Sequence, residues 1–243
     1  MAKARASADD PVPAVTEPAI PDVRLATVST VEAAANAIRE LILDGQLEPG
    51  ARLREAEFAE RLGIARHSFR AATQILIAEG LLRREPNRGV QVPVFEPDDL
   101  IDVFRLRTAL EVEAVRLVIA TAAVPDAAAE SVRELSALGE DAPWRVVVEP
   151  DMRFHRAIID ASGSKRLVRA YATVQSEVLL CLVWLRPHYD RPSQVAAEHE
   201  ELIAAIRAGD ADRAEDLFRT HLREAAENLT RAWRERTGER VVV

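Results

Sequence analysis

The chain has 243 residues, 48% of them hydrophobic and 30% charged, with a formal net charge of −8. That is ample apolar material for a buried core, and enough length for one large domain or two modest ones. A single cysteine, Cys181, excludes an intramolecular disulfide framework and any cysteine-rich zinc module.

Residues 1–23 are rich in alanine, proline and aspartate and read as a disordered tail with no signal-peptide core. The first helix is expected from Ser29 to Asp44, where Val31, Ala34, Ala35, Ile38, Leu41 and Ile42 recur at helical spacing. Ser29 or Thr30 can cap its start, and Gly45 suits a left-handed end. After the Pro49-Gly50 turn, Arg52-Leu53 leads into a short helix, Glu55 to Leu62, which Gly63-Ile64 breaks. A third helix follows from Arg66 to Glu79, with Phe69, Ala72, Ile75 and Leu76 inward. Leu81 to Arg84, a turn over 85–89, and Val90 to Phe95 then read as two strands of a basic hairpin. Two helices across a glycine turn followed by a hairpin make a winged helix-turn-helix, assigned to residues 24–95.

Pro97-Asp98 marks a boundary, and residues 98–235 are helical in pattern. Helices are expected at Asp98–Thr121, Pro125–Leu138, Pro150–Ala161, Lys165–Leu185, Pro192–Ala208 and Ala211–Glu235, with Val146 to Val148 strand-like between them. The fold class is therefore mainly α: a winged head with a small β-hairpin, then an antiparallel bundle of six (or seven) helices, and a short tail at 236–243. The Lys165–Leu185 segment is the expected central helix. The longest unbroken apolar run, Val178 to Leu185, falls well short of the ~18–20 residues that cross a bilayer. A cytoplasmic protein with no membrane partner is expected.

Charge is uneven along the chain. Arg61 to Arg88 contains six arginines against only Glu79 and Glu85, inside an otherwise acidic protein. A local basic stretch suits a polyanion-binding module, or simply a salt-bridged surface helix.

The Leu62-Gly63-Ile64-Ala65-Arg66 turn, Arg70, the Ala78-Glu79-Gly80-Leu81-Leu82 exit and the Asn87-Arg88-Gly89-Val90 wing resemble the GntR family of bacterial transcription regulators. Asp151 to His155, Ala161-Ser162-Gly163, Glu198-His199 and His221-Leu222 resemble the FadR-type ligand-binding domain called FCD. Six C-terminal helices would resemble the shorter, VanR-like subgroup. The resemblance implies a homodimeric DNA-binding regulator, a repressor or an activator, responding to a small molecule.

Position alone makes Arg66, His67, Ser68 and Arg70 candidate DNA readers, because the N-terminal residues of a second helix meet base edges. Arg66 and Arg70 share a face at i and i+4, and a guanidinium can bind guanine bidentately or clamp a phosphate. Arg54 is a candidate phosphate contact. The resemblance adds Arg88 and Gly89 of the wing. Alanine at 65 removes a serine cap common in the family, and His67-Ser68 replaces a common Thr-Pro, so an operator sequence does not transfer. His67 reads either as a base reader or as an exposed imidazole.

Asp151 and His155 lie at i and i+4 on one helix, while His199 and His221 sit in the apolar stripes of two others. Converging, three imidazoles and a carboxylate would hold a divalent transition metal such as zinc, nickel or manganese, with positions open for a ligand. Singly, each histidine suits an ordinary buried role. His188 falls in a break and reads as surface. An open position invites a small carboxylate effector, and the resemblance points to Arg107 of the Arg107–Glu111 pair to bind it. The same pair also suits a purely structural role. The competing class is a metal-dependent enzyme, but no His-Glu-x-x-His, Gly-x-Ser-x-Gly or phosphate-loop pattern is present.

Overall fold

A computed structural model of the chain describes residues 29–86, 88–121, 124–185 and 191–238. The expected N-terminal tail and His188 lie outside the described residues. The head comprises α1 (Thr30–Leu43), β1 (Arg52–Leu53), α2 (Glu55–Arg61), α3 (Arg66–Ala78), β2 (Arg83–Glu85) and β3 (Gly89–Gln91). Ser29 caps α1 in a reciprocal box with Glu32, whereas Ala65 gives α3 no side-chain cap. Gly63 bends the chain between α2 and α3 at φ +64°, where a side chain would be strained.

The strands form one antiparallel sheet in the order β1-β3-β2, with Leu53 opposite Val90 and Arg84 opposite Val90 on the other side. Its third strand, β1, is a two-residue element with no period to read in sequence. Ile38, Ile42, Phe69 and Leu76 are buried at the centre of the head. Burial of each such side chain stabilises by about 1.5–3 kcal/mol.

Six helices follow among the described residues: α4 (Pro97–Thr121), α5 (Asp126–Ala137), α6 (Trp144–Ala161), α7 (Lys165–Leu185), α8 (Pro192–Ala208) and α9 (Ala211–Thr237). Two expectations change. Val146 to Val148 is not strand-like but belongs to the first turns of α6, which runs through Pro150. Val147 and Val148 are both buried while Val146 is exposed, so the segment presents a helical face, not alternating ones. Packing of that face outweighs the one backbone hydrogen bond that proline removes.

α7 is also not singled out as the centre of the bundle. α4 packs on α6, α7, α8 and α9, and α6 on α4, α5, α7 and α8, while α7 packs on α4, α6 and α9. α7 does have the length and mean hydropathy, 1.3 over its best window, of a membrane-spanning helix. Its apolar residues instead face the protein interior: Val174, Val178 and Leu182 in the bundle, Leu180 and Trp184 in the core of the head.

The head is therefore docked on the bundle. Trp184 Nε1 donates to the carbonyl of Ile42 at 3.5 Å, and Phe95 packs on the Trp184 ring at 6.4 Å. Arg145, at the start of α6, pairs with Asp44 and, at 3.7 Å, with Glu40 of α1.

Candidate metal centre and nucleic-acid edge

Four side chains from three helices converge inside the bundle. α6 presents Asp151 and His155 one turn apart, α8 brings His199, and α9 brings His221. One donor atom from each lies within 4.8 Å of all the others. His199 Nε2 stands 3.3 Å from His155 Nε2 and 3.2 Å from Asp151 Oδ1. The three histidines are buried, and Phe154 and Phe218 stand edge-on to two of their rings. The convergence expected from the sequence is present.

What surrounds these ligands decides their chemistry. His155 Nδ1 faces Glu111 Oε2 at 2.5 Å, His199 Nδ1 faces the Val195 carbonyl at 2.7 Å, and His221 Nδ1 faces Glu198 Oε2 at 2.9 Å. Each acceptor holds its ring through Nδ1, and the Nε2 atoms of His155 and His199 face one another, the arrangement that orients metal-bound histidines. Two imidazole lone pairs 3.3 Å apart repel unless a positive charge lies between them, a proton in the bare protein or a metal ion. The donor set fits a divalent transition ion, with His155, His199, His221 and Asp151 as the residues that would hold it.

Electrostatics agree with this geometry. Burial drives the His155 pKa down to about 4, against the opposing pull of Glu111, so the imidazole is neutral near pH 7. Burial opposes the charges on Asp151 and Glu111, yet their cationic neighbours win. Asp151 is held well below the carboxylate range, chiefly through His199, and Glu111 at about 2, chiefly through His155 and Arg107.

Glu111 and Tyr171 stand beside the cluster, and sequence reasoning did not place either there. In the sequence, Glu111 shows only as the partner of Arg107. Glu111 accepts from Arg107 Nε at 2.7 Å, from the Tyr171 hydroxyl at 3.1 Å and from His155. Its helical spacing from Arg107 was legible; the approach of α6 and α7 to its other oxygen was not. Arg107 is 2% exposed and packs over the Phe104 ring. Burial works against its charge, but Glu111, Tyr171 and Asp151 outweigh burial and keep it cationic. Its Nη2 has no hydrogen-bond partner, and it is the one such buried side-chain nitrogen or oxygen among the described residues.

On the head, Arg54, Arg66, His67, Arg70, Arg88 and Gly89 are exposed, whereas Ser68 is buried and is not on that edge. Arg70 Nε donates to Glu55 Oε2 at 2.8 Å. That bond, with Arg66 and Arg84 nearby, holds Glu55 below the usual carboxylate range. A carboxylate thus occupies one arginine of this exposed basic edge.

Comparison with known proteins agrees with this architecture. Residues 30–92 match the model of bacterial regulatory proteins of the gntR family, and residues 102–236 match the FCD domain. The chain is 32% identical to a probable D-xylose utilization operon transcriptional repressor of Paenarthrobacter nicotinovorans over 77% of its length and 85% of the relative's. It is 28% identical to the transcriptional repressor GlaR of Escherichia coli K12, covering 74% and 87% of the two chains. A solved structure, a putative transcriptional regulator GntR from Rhodococcus sp. RHA1, is 28% identical and superposes with a TM-score of 0.70, covering 83% of this chain and 98% of that one. These proteins are transcription regulators rather than enzymes, which sets aside the metalloenzyme alternative. The chain belongs to the GntR family of transcription regulators and carries an FCD domain as its second part.

Proposed function

We propose that this regulator binds a palindromic double-stranded operator as a homodimer, and that a small carboxylate held at the divalent-metal site in the bundle sets its affinity for that DNA. One head offers few base-reading groups, and two-fold pairing of heads matches two half-sites. Arg66 and His67 read base edges, Arg54 and Arg70 clamp phosphates, and Arg88 and Gly89 carry the wing to the neighbouring groove. Ser68, turned inward, is left out of this reading.

The observation that carries the effector reading is the unpartnered Nη2 of buried Arg107. An unsatisfied buried donor on a cation costs free energy unless a ligand completes it, and a carboxylate is its natural partner. Charge points the same way. Arg107 contributes one positive charge and Glu111 with Asp151 two negative ones, so a divalent ion would leave a single positive charge for one carboxylate to neutralise. When bound, the metal supplies a Lewis-acidic anchor for that carboxylate.

Two helices then link the site to the head. α6 carries Asp151 and His155 and, at its start, the Arg145 contacts to Asp44 and Glu40. α7 carries Tyr171 and, near its end, Trp184 in the core of the head. Both are continuous helices, the kind of element that transmits a displacement. The relatives named repressors favour repression as the sign of its control.

The test is a thermal-shift and titration series with acetate, benzoate and succinate on metal-loaded and chelated protein, since a ligand of the folded state raises the midpoint. Stabilisation that needs both the metal and Arg107, lost in Arg107→Met with metal content retained, is the expected result. No response to any small carboxylate, or equal responses from Arg107→Met, would overturn the effector assignment. Footprinting of upstream genomic DNA, with and without the stabilising carboxylate, tests the operator part separately.

A further inference from the structure

We infer that the junction between head and bundle holds a second small-molecule site, built for a zwitterion with an apolar body, an amino acid being the simplest case. A cavity of about 380 Å³ opens where the turn after α1 meets the first turn of α6 and the last turns of α7 and α9. It is bordered by Trp144 and Trp184, by Arg145 and Arg236, and by Asp44 and Glu48. A Cβ placed on Gly45, beside Asp44, would meet nothing within 4 Å, so the space there is open. The volume lies at the lower end of the range for ligand pockets, about 300–1,000 Å³, and suits a molecule with a single ring or side chain. None of Asp151, His155, His199 and His221 borders it, so this site is separate from the metal centre.

Which of these groups remain open decides the ligand. Both indole N–H groups are directed at backbone: Trp144 Nε1 donates to the Leu182 carbonyl at 2.8 Å, and Trp184 Nε1 to that of Ile42 at 3.5 Å. The rings therefore offer the pocket apolar surface. Arg145 is neutralised by Asp44 and, at 3.7 Å, by Glu40. Two opposite charges are left. Arg236 commits one N–H, from Nη1 to the Trp184 carbonyl at 2.6 Å, and has no carboxylate partner among the described residues. The Glu48 carboxylate has no partner among them either, and no ion pair joins it to Arg236 across the cavity they share. A carboxylate on Arg236, an ammonium on Glu48 and an apolar body against the indoles would engage all three features with one molecule. A simple acid leaves Glu48 alone, and a simple amine leaves Arg236 alone. Because head and bundle both supply walls, an occupant binds the docked arrangement and favours it. It would set how firmly the head is held, independently of any carboxylate at the metal centre.

The experiment is isothermal titration of the full chain, metal-loaded and chelated, with L-phenylalanine and L-leucine. Tryptophan fluorescence gives a second readout, because two of the three tryptophans border the pocket. At least one of the amino acids is expected to bind once per chain, with or without metal. 3-Phenylpropanoate and phenethylamine, which lack the ammonium and the carboxylate, should bind at least about tenfold more weakly, and so should L-phenylalanine to Arg236→Gln and Glu48→Gln. Both positions are exposed, so these variants are expected to melt like wild type. Arg107→Met should bind the amino acid as wild type does. No binding of either amino acid overturns the inference and leaves the effector reading standing. Equal binding of 3-phenylpropanoate, or unchanged binding in Glu48→Gln, overturns the zwitterion. Loss of binding in Arg107→Met moves the ligand to the metal centre and overturns the second site. Binding that appears only after residues 239–243 are removed would mean that the chain's own end fills the pocket, and would also overturn the inference.

Discussion

Two arginine–glutamate pairs in this molecule have almost the same geometry and opposite meanings. Arg107 Nε lies 2.7 Å from Glu111, and Arg70 Nε lies 2.8 Å from Glu55. The first pair is sealed in the bundle, with exposures of 2% and 0%; the second is open to water, with 67% and 33%. Burial makes the bundle pair costly to break, above all by loss of Glu111, because Arg107 alone is a charge in a medium that cannot solvate it. Exposure makes the head pair expendable, because water and salt replace each partner. In the proposed function the first is a fixed charge that holds a ligand's position, and the second an arginine that exchanges a carboxylate for a phosphate.

Breaking the buried pair should have the largest effect. Glu111→Ala strands Arg107 and removes the acceptor of His155, and a loss of about 3–5 kcal/mol in urea unfolding is expected. A loss below about 1 kcal/mol, the level of an exposed pair, would erase the contrast. The milder Glu111→Gln variant should keep the fold and lower metal affinity by roughly 10–100-fold in competition titrations.

Acid should weaken the bundle next. His155 and Glu111 titrate at about 4 and about 2, below their ordinary values of 6.5 and 4.5. Since the unfolded chain takes up each proton first, stability falls with pH below about 6.5 and continues to fall toward about 2. Urea midpoints of chelated protein at pH 7, 5.5 and 4 should decline in that order; metal occupancy should decline too, because imidazoles coordinate only when neutral. A flat series would show that His155 is not buried as described.

On the head, Arg66→Ala should cost about 1–3 kcal/mol of discrimination at one base pair if Arg66 reads an edge. Arg70→Ala should weaken binding to all sequences alike and flatten the salt dependence of DNA affinity. Exchange of those two patterns in binding assays would reverse the assigned roles. The smallest effect sharpens the comparison most. Glu55→Ala frees Arg70 and should tighten DNA binding and steepen its salt dependence with no measurable change in thermal midpoint. Weaker binding would mean that Glu55 positions Arg70 rather than competing for it.

The sequence determined most of the helices, their order and the four candidate ligands, because these rest on local rules. Apolar spacing along a helix, a serine cap at 29, the glycine turn at 63 and the basic stretch from Arg61 to Arg88 can each be read within a few residues. The tertiary structure alone decided what lay across helices. Val146 to Val148 became helical through packing, the centre of the bundle was shared by α4 and α6 with α7, and β1 existed only as a partner for β3. It also made Glu111 the orienter of His155 and left Arg107 Nη2 without a partner. A pattern of hydrophobic and polar positions tells which face of a helix turns inward. It does not tell which side chain of another helix that face will meet, and the chemistry of a buried charge is set by that meeting.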